Sequence, residues 1–340
     1  MQKTWAFALL YWSVAAPQTG VVRSEQTSGT TARLVAVSAA SDKVAWASGQ
    51  RGTFVRTTDG GTTWKAGQVA GAERLDFRDV HAVSADTAYL LSIGNGEQSR
   101  IYKTVDAGAN WMLQFTNPDS AAFYDCFDFW DGDHGIAVSD AVDGRLTLVS
   151  TRDGGKHWDR MAELSRIAML AKEGSFASSG TCLVATPGQG AWIATTKARL
   201  LHTTNRGRTW TVTQLEGFTL SDSTGLTSVS FRDGKHGMAF GGYGSFAENK
   251  LISTTDDGGK TWTMQTRPPI ASGVWGGQYV PGVPTPTVVV EGPKGSAYSR
   301  DNGKTWTLID EVNYWGISIA SKNAGWLVGA NGRITKLSGF

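Results

Sequence analysis

Thr57-Thr58-Asp59-Gly60-Gly61-Thr62-Thr63-Trp64 is the stretch that decides the fold, because it returns along the chain. It recurs as TVDAGANW from Thr104 to Trp111, TRDGGKHW from Thr151 to Trp158 and TTNRGRTW from Thr203 to Trp210. TDDGGKTW runs from Thr255 to Trp262 and SRDNGKTW from Ser299 to Trp306. Successive tryptophans are 47, 47, 52, 52 and 44 residues apart. A repeat of that size marks a propeller or solenoid with one supersecondary unit per period.

The motif has a mechanical reading. Asp and Gly between two extended runs make a hairpin turn, in which the carboxylate accepts backbone N–H groups and Gly supplies positive φ. The Trp opens the next strand and fills the space beside the neighbouring sheet, where burying its ring contributes roughly 2–3 kcal/mol.

Further short strands precede each motif. In the fifth unit they are Thr227 to Phe231, Gly237 to Gly241 and Lys250 to Thr255, followed by Trp262 to Thr266. The same order recurs from Cys126 and from Cys182. Four antiparallel strands per repeat is a propeller blade.

Six motifs give six blades, and Tyr314 to Ile319, Gly325 to Gly329 and Arg333 to Leu337 supply three strands of a seventh. Val21 to Gln26 is the unassigned segment that completes it. That closure leaves no open edge, which sheets avoid. The expected fold is therefore all-β: one seven-bladed β-propeller over residues 16–340, its N-terminal strand closing the last blade.

Composition agrees. Of the 340 residues 40% are apolar, 42 are Gly and 14 are Trp, which suits many short strands joined by tight turns. The net charge of +2 carries no basic stripe, so nucleic acid is not an expected partner. Met1-Gln2-Lys3 followed by the mostly apolar Thr4 to Ala16 reads as a secretory signal peptide over 1–15, with Ser13-Val14-Ala15 before the cut. This predicts a periplasmic or secreted protein. No segment is long enough to span a membrane.

The blade pattern, VSFRDGKHGMAFGG…LISTTDDGGKTW from Val229 to Trp262, resembles the photosystem II stability/assembly factor propellers and the wider BNR/Asp-box class. The resemblance covers almost the whole chain after Leu34 and points to a non-photosynthetic bacterial relative. It implies a chaperone-like scaffold that binds a partner protein or peptide. The class also holds sialidases, xyloglucanase-type glycoside hydrolases and sortilin-type receptors, so fold alone does not choose among functions.

The Asp-box positions Asp59, Asp106, Asp153, Asn205, Asp257 and Asp301, with Trp64, Trp111, Trp158, Trp210, Trp262 and Trp306, read as structural. A catalytic group is needed once, a turn in every blade. Binding is expected on the opposite face, among long or polar loops. These carry Glu97 and Arg100; Asp140, Asp143 and Arg145; Arg166 and Glu173; Ser178 and Ser179; and Tyr243, Glu248 and Lys250. If the protein were instead a glycoside hydrolase holding a glycan over the central channel, its paired carboxyls would come from Asp140, Asp143, Glu173 and Glu248. Sialidase chemistry is disfavoured, because no Arg-Ile-Pro occurs.

No metal site is expected. His81, His134, His157, His202 and His236 are scattered, and no Cys-x-x-Cys or His-x-x-x-His appears. His134 and His236 share one slot in their blades, which again suggests a turn. No nucleotide-binding glycine motif and no nucleophile elbow is present, so no cofactor is implied. Cys126 and Cys182 occupy equivalent positions on the innermost strands of adjacent blades. They are either two small buried thiols or a cross-blade disulfide, the latter requiring Cα atoms within about 7 Å.

Overall fold

The computed structural model describes residues 20–161, 167–218, 224–242 and 251–340. Its strands form seven four-stranded antiparallel sheets, arranged as the blades of a propeller. Blade 1 runs from an inner strand, Leu34–Ala39, through Ala45–Gly49 and Thr53–Thr57 to an outer strand, Lys65–Gln68. Blade 7 takes Gly316–Ser321, Ala324–Val328 and Arg333–Ser338 from the C-terminus. Its outer strand is Val22–Thr27, paired antiparallel from Val22↔Ser338 to Thr27↔Arg333. The expected closure of the ring is thus the one observed.

The closing strand is bolted in place by one side chain. Gln26 Oε1 accepts the indole N–H of Trp64 in blade 1 (2.9 Å) and of Trp326 in blade 7 (3.2 Å). Both indoles are buried. A single amide therefore satisfies two buried donors and joins the first blade to the last.

Each turn motif closes the same way. Thr57 Oγ1 donates to Asp59 Oδ1 (2.9 Å) and accepts the Gly61 amide (2.8 Å), while the Thr63 amide donates to Asp59 Oδ1 (2.9 Å). The Thr63 hydroxyl bonds the second oxygen (2.6 Å), and this bond above all holds the Asp59 carboxyl down at about 2. Asn205 keeps the geometry without charge, accepting from Thr203 Oγ1 (3.0 Å) and the Thr209 amide (2.9 Å). The outer strands start one residue after each Trp, at Lys65, Met112, Asp159, Thr211, Thr263 and Thr307. The Trp itself lies outside the ladder because its ring turns to a neighbouring blade. Trp64 meets Trp326 edge-on at 6.4 Å, Trp111 meets Phe54 at 5.1 Å and Trp262 meets Trp192 at 6.2 Å.

Around the axis, inner strands are stitched side chain to backbone. Ser318, Ser38 and Asp79 accept the amides of Ala39, Ala82 and Phe127, at 3.0, 3.0 and 2.9 Å. Asp128, Ser230 and Gln278 accept those of Ala185, Tyr279 and Ile319, at 2.8, 3.2 and 2.8 Å. Between blades 4 and 5 the contact is hydroxyl to hydroxyl, Thr181 to Ser228 at 2.7 Å. Cys126 and Cys182 form a disulfide with Cα atoms 6.0 Å apart, so the cross-blade bond is the alternative the structure holds.

Replacing Gln26 with Ala strands two buried indole donors. We expect a loss of about 1–3 kcal/mol, read as a lower denaturant midpoint with unchanged slope.

Candidate functional site

The turn motifs and the hairpins between first and second strands share one face of the propeller. His134 and His236 belong there as expected, each bonding a turn aspartate through Nδ1: His134 with Asp131 and His236 with Asp233, both at 2.8 Å. The opposite face is built from loops between blades and turns between second and third strands. It holds the described residues that the sequence proposes for binding.

Those residues do not converge. Glu97 is exposed on a 3-10 turn, Gly96–Gln98, whose carbonyl at Glu97 accepts Arg100 Nε (2.6 Å). Asp143 and Arg145 sit at an exposed hairpin tip, with Asp143 at φ 51°. Arg166, Tyr243, Glu248 and Lys250 lie outside the described residues.

Three of the expected surface groups are buried. Glu173 is 1% exposed and grips Arg199 with both oxygens, at 2.8 Å to Nε and 2.6 Å to Nη2. It also accepts the Thr195 hydroxyl (2.7 Å) and the Leu170 amide (2.7 Å). All its lone pairs are engaged in holding a loop, so it does not face a cleft as a free acid. Ser178 and Ser179, expected on an open face, are 2% and 1% exposed. The reason is the course of their segment. Ala177 O accepts Arg78 Nη1 of blade 2 (3.1 Å), and Ser179 Oγ donates to the Trp275 carbonyl before blade 6 (3.0 Å). Gly180, at φ 74°, lies against Asp79 of blade 2 and Ala36 of blade 1. The segment therefore crosses the axis and closes it at this face.

Below this crossing lies a cavity of about 300 Å³, lined by Gly180 and Thr181 at one end and by Ser38, His81, Asp128 and Gln278 among its walls. The central channel is a well closed towards the loop face. On its wall His81 Nδ1 and Asp128 Oδ1, from adjacent blades, bond at 2.9 Å. Asp140 is also turned inward: its Oδ1 accepts the Ser175 amide (3.2 Å), and burial raises its carboxyl above the ordinary range.

What the loop face does assemble is an arginine–tryptophan cluster. Arg33, Trp275 and Trp315 each stand immediately before the first residues of an inner strand, and Arg78 is the second residue of one. The Arg33 guanidinium lies 4.2 Å over the half-exposed Trp315 ring, and that of Arg78 lies 5.5 Å from it. Trp275 meets Trp315 edge-on at 4.5 Å. Asp76 bridges the two cations, 3.6 Å from Arg33 and 3.1 Å from Arg78. Two guanidinium groups thus lie beside an aromatic platform, a surface that suits carboxylates and flat or extended peptide groups. No local stretch of sequence marks these residues, because they stand singly, in short loops or at the start of a strand. The available signal was a shared slot: Trp275 and Trp315 are tryptophans outside the turn motif, both one residue before an inner strand.

Fold and repeat together define an Asp-box β-propeller. The model of the family described as Photosynthesis system II assembly factor YCF48 matches residues 114–220, and that of the BNR/Asp-box repeat matches residues 297–308. These matches bear out the resemblance to the photosystem II assembly factor propellers. A solved structure described as YCF48 bound to D1 peptide is 18% identical, with a TM-score of 0.68, over 94% of this chain and 96% of that one. YCF48 from Cyanidioschyzon merolae is also 18% identical, with a TM-score of 0.67, over 93% of this chain and 98% of that one. An ancestral GH74 enzyme is 12% identical, with a TM-score of 0.63, over 91% of this chain but 45% of that one. At these identities the likeness is one of fold. No curated protein matches the chain.

Arg199→Ala would leave Glu173 buried without its counter-charge. We expect a loss of about 3–5 kcal/mol, measured by denaturant unfolding, with Arg199→Lys recovering part of it.

Proposed function

We propose that the protein is an exported scaffold that holds a peptide segment of a client protein across its loop face. The observation that carries this reading is the stacking of Arg33 and Arg78 on Trp315. Aromatic and arginine side chains that are held rigid and partly exposed are the residue types that dominate binding energy. The axis is closed at this face by the crossing segment, which suits docking better than enclosure of a small substrate. A relative of the same fold has been solved with a peptide bound, and that supports a peptide as the class of ligand. The hydrolase alternative has no comparable support, since Glu173 is spent on Arg199 and Asp140 on the Ser175 amide.

Export is supported by the leader-like start of the chain and by the Cys126–Cys182 disulfide, a bond that persists in oxidising compartments. Intact-mass measurement of the native protein should give a chain beginning near Ala16; a chain retaining Met1 or Gln2 would count against it.

The test of binding is affinity capture from the native envelope fraction with three baits. The wild type should retain a co-purifying protein, and Trp315→Ala combined with Arg33→Ala should lower its recovery about 30-fold or more, as loss of a hot spot of about 2 kcal/mol does. A Lys65→Ala, Met112→Ala bait, altered on outer strands, should retain it. Capture that survives the loop-face variant and fails with the outer-strand one would sink the proposal.

A further inference from the structure

The segment from Glu173 to Thr181 is a plug, and its socket is acidic. Asp140 packs on Gly174, where a Cβ would sit 1.5 Å from Oδ1. Asp79 packs on Gly180, with the corresponding distance 2.4 Å. Glu291, on the second strand of blade 6, packs on Gly276, whose Cβ position is 2.6 Å from Glu291 Oε1 and 3.3 Å from the Ser179 Cβ. Asp125 lies beside Asp140, within hydrogen-bonding reach of it. Two cations reach this socket, Arg78 and Arg199. Arg199 is committed to Glu173, and Arg78 is shared among Asp76, Trp315 and the Ala177 carbonyl.

Two of these carboxyls hold oxygens without a donor. Asp125 is 2% exposed and its Oδ2 has no hydrogen-bond partner; Glu291 is fully buried and neither of its oxygens has one. Two carboxyls can hydrogen-bond to each other only when one carries a proton. An ionised carboxylate buried without a donor is among the costliest groups a protein can hold. Asp79 is also pushed well above the ordinary carboxylate range by burial, although its two oxygens accept the amides of Val80 (2.7 Å) and Phe127 (2.9 Å).

We propose that the plug is a proton-held latch on the loop-face site: it stays seated while the Asp125–Asp140 pair and Glu291 carry their protons, and loosens when they are lost. The proposal rests on the binding reading for its purpose, since unseating the plug removes the Ala177 carbonyl from Arg78 and frees that guanidinium for a ligand carboxylate. The disulfide at Cys182 anchors the segment one residue beyond Thr181, so movement is confined to the part that crosses the axis.

Burial pushes Asp125 well above the ordinary carboxylate range, the facing Asp140 charge adding to it, and burial does the same to Glu291. A group raised in the seated state stabilises that state fully at low pH, and the stabilisation is lost as pH climbs through the raised value. The latch therefore closes in acid and opens above the usual carboxylate range.

Hydrogen exchange of residues 173–182 in the unliganded full chain tests this, with rates divided by the intrinsic rate at each pH. Protection in the wild type should fall with rising pH, by about tenfold per pH unit for each proton released in opening. Asp125→Asn combined with Glu291→Gln replaces both acids by neutral isosteres, and should keep the segment protected to higher pH with a shallower profile, Asp79 and Asp140 being left to titrate. A flat wild-type profile overturns the latch whether or not the variant folds, and so does a variant that keeps the wild-type slope. Because no ligand is present, failure here leaves the binding proposal standing, and failure of capture leaves the latch standing.

Discussion

The backbone N–H groups along the inner edge of each blade are the constraint on which the ring depends. A four-stranded sheet satisfies its interior strands and leaves two edges open. In a propeller the inner edge cannot be covered by another strand, because the blades diverge radially from a narrow axis. This chain resolves the problem with side chains. Ser38, Asp79, Asp128, Ser230, Gln278 and Ser318 each accept an amide from the next inner strand. Every such bond satisfies a donor that burial would otherwise make costly. Each also sets the rotation of one blade against the next.

That device explains where irregularity is tolerated. At the junction of blades 4 and 5 the slot holds Val184, which cannot accept, and here the link is Thr181 to Ser228. Thr181 is also the last residue of the plug. The Cys126–Cys182 disulfide stands at the neighbouring junction, between blades 3 and 4. The longest insertion in the chain thus enters the axis beside the junction that lacks the usual acceptor, and the disulfide adds a covalent tie at the adjoining junction, where Asp128 also accepts the Ala185 amide.

The fold was legible because its signals are repetitive and local. A turn needs Asp, Gly and a hydroxyl at set spacing, and six copies of that chemistry survive any single exception, including Asn205 in place of Asp. Closure by Val22–Thr27 could be inferred from counting strands alone. The site was less legible for two physical reasons. Exposure of a loop residue depends on where the loop goes, and Glu173, Ser178 and Ser179 lie on a segment that turns inward. The Arg33–Trp315–Arg78 cluster draws on loops about 280 residues apart in sequence, so no window of sequence contains it. Composition pointed away from it as well: the chain has no dense run of arginines, yet two suffice when both lie over one indole.

The division of labour between the faces follows from the same physics. Asp-box turns consume the hydrogen-bonding capacity of one face in near-identical units, so variation there would unlock a blade. The loops of the other face bear no such duty and are free to differ from blade to blade. Only on that face can two arginines, two tryptophans and an inserted plug be brought together without disturbing the turns. The plug makes the arrangement conditional: it takes one hydrogen bond from Arg78, the guanidinium that also reaches Trp315, and rests on carboxyls that cannot all be ionised together. In the proposed latch, a change of charge at the axis is transmitted over a single contact to the rim, the shortest route by which a rigid ring can alter its loop face.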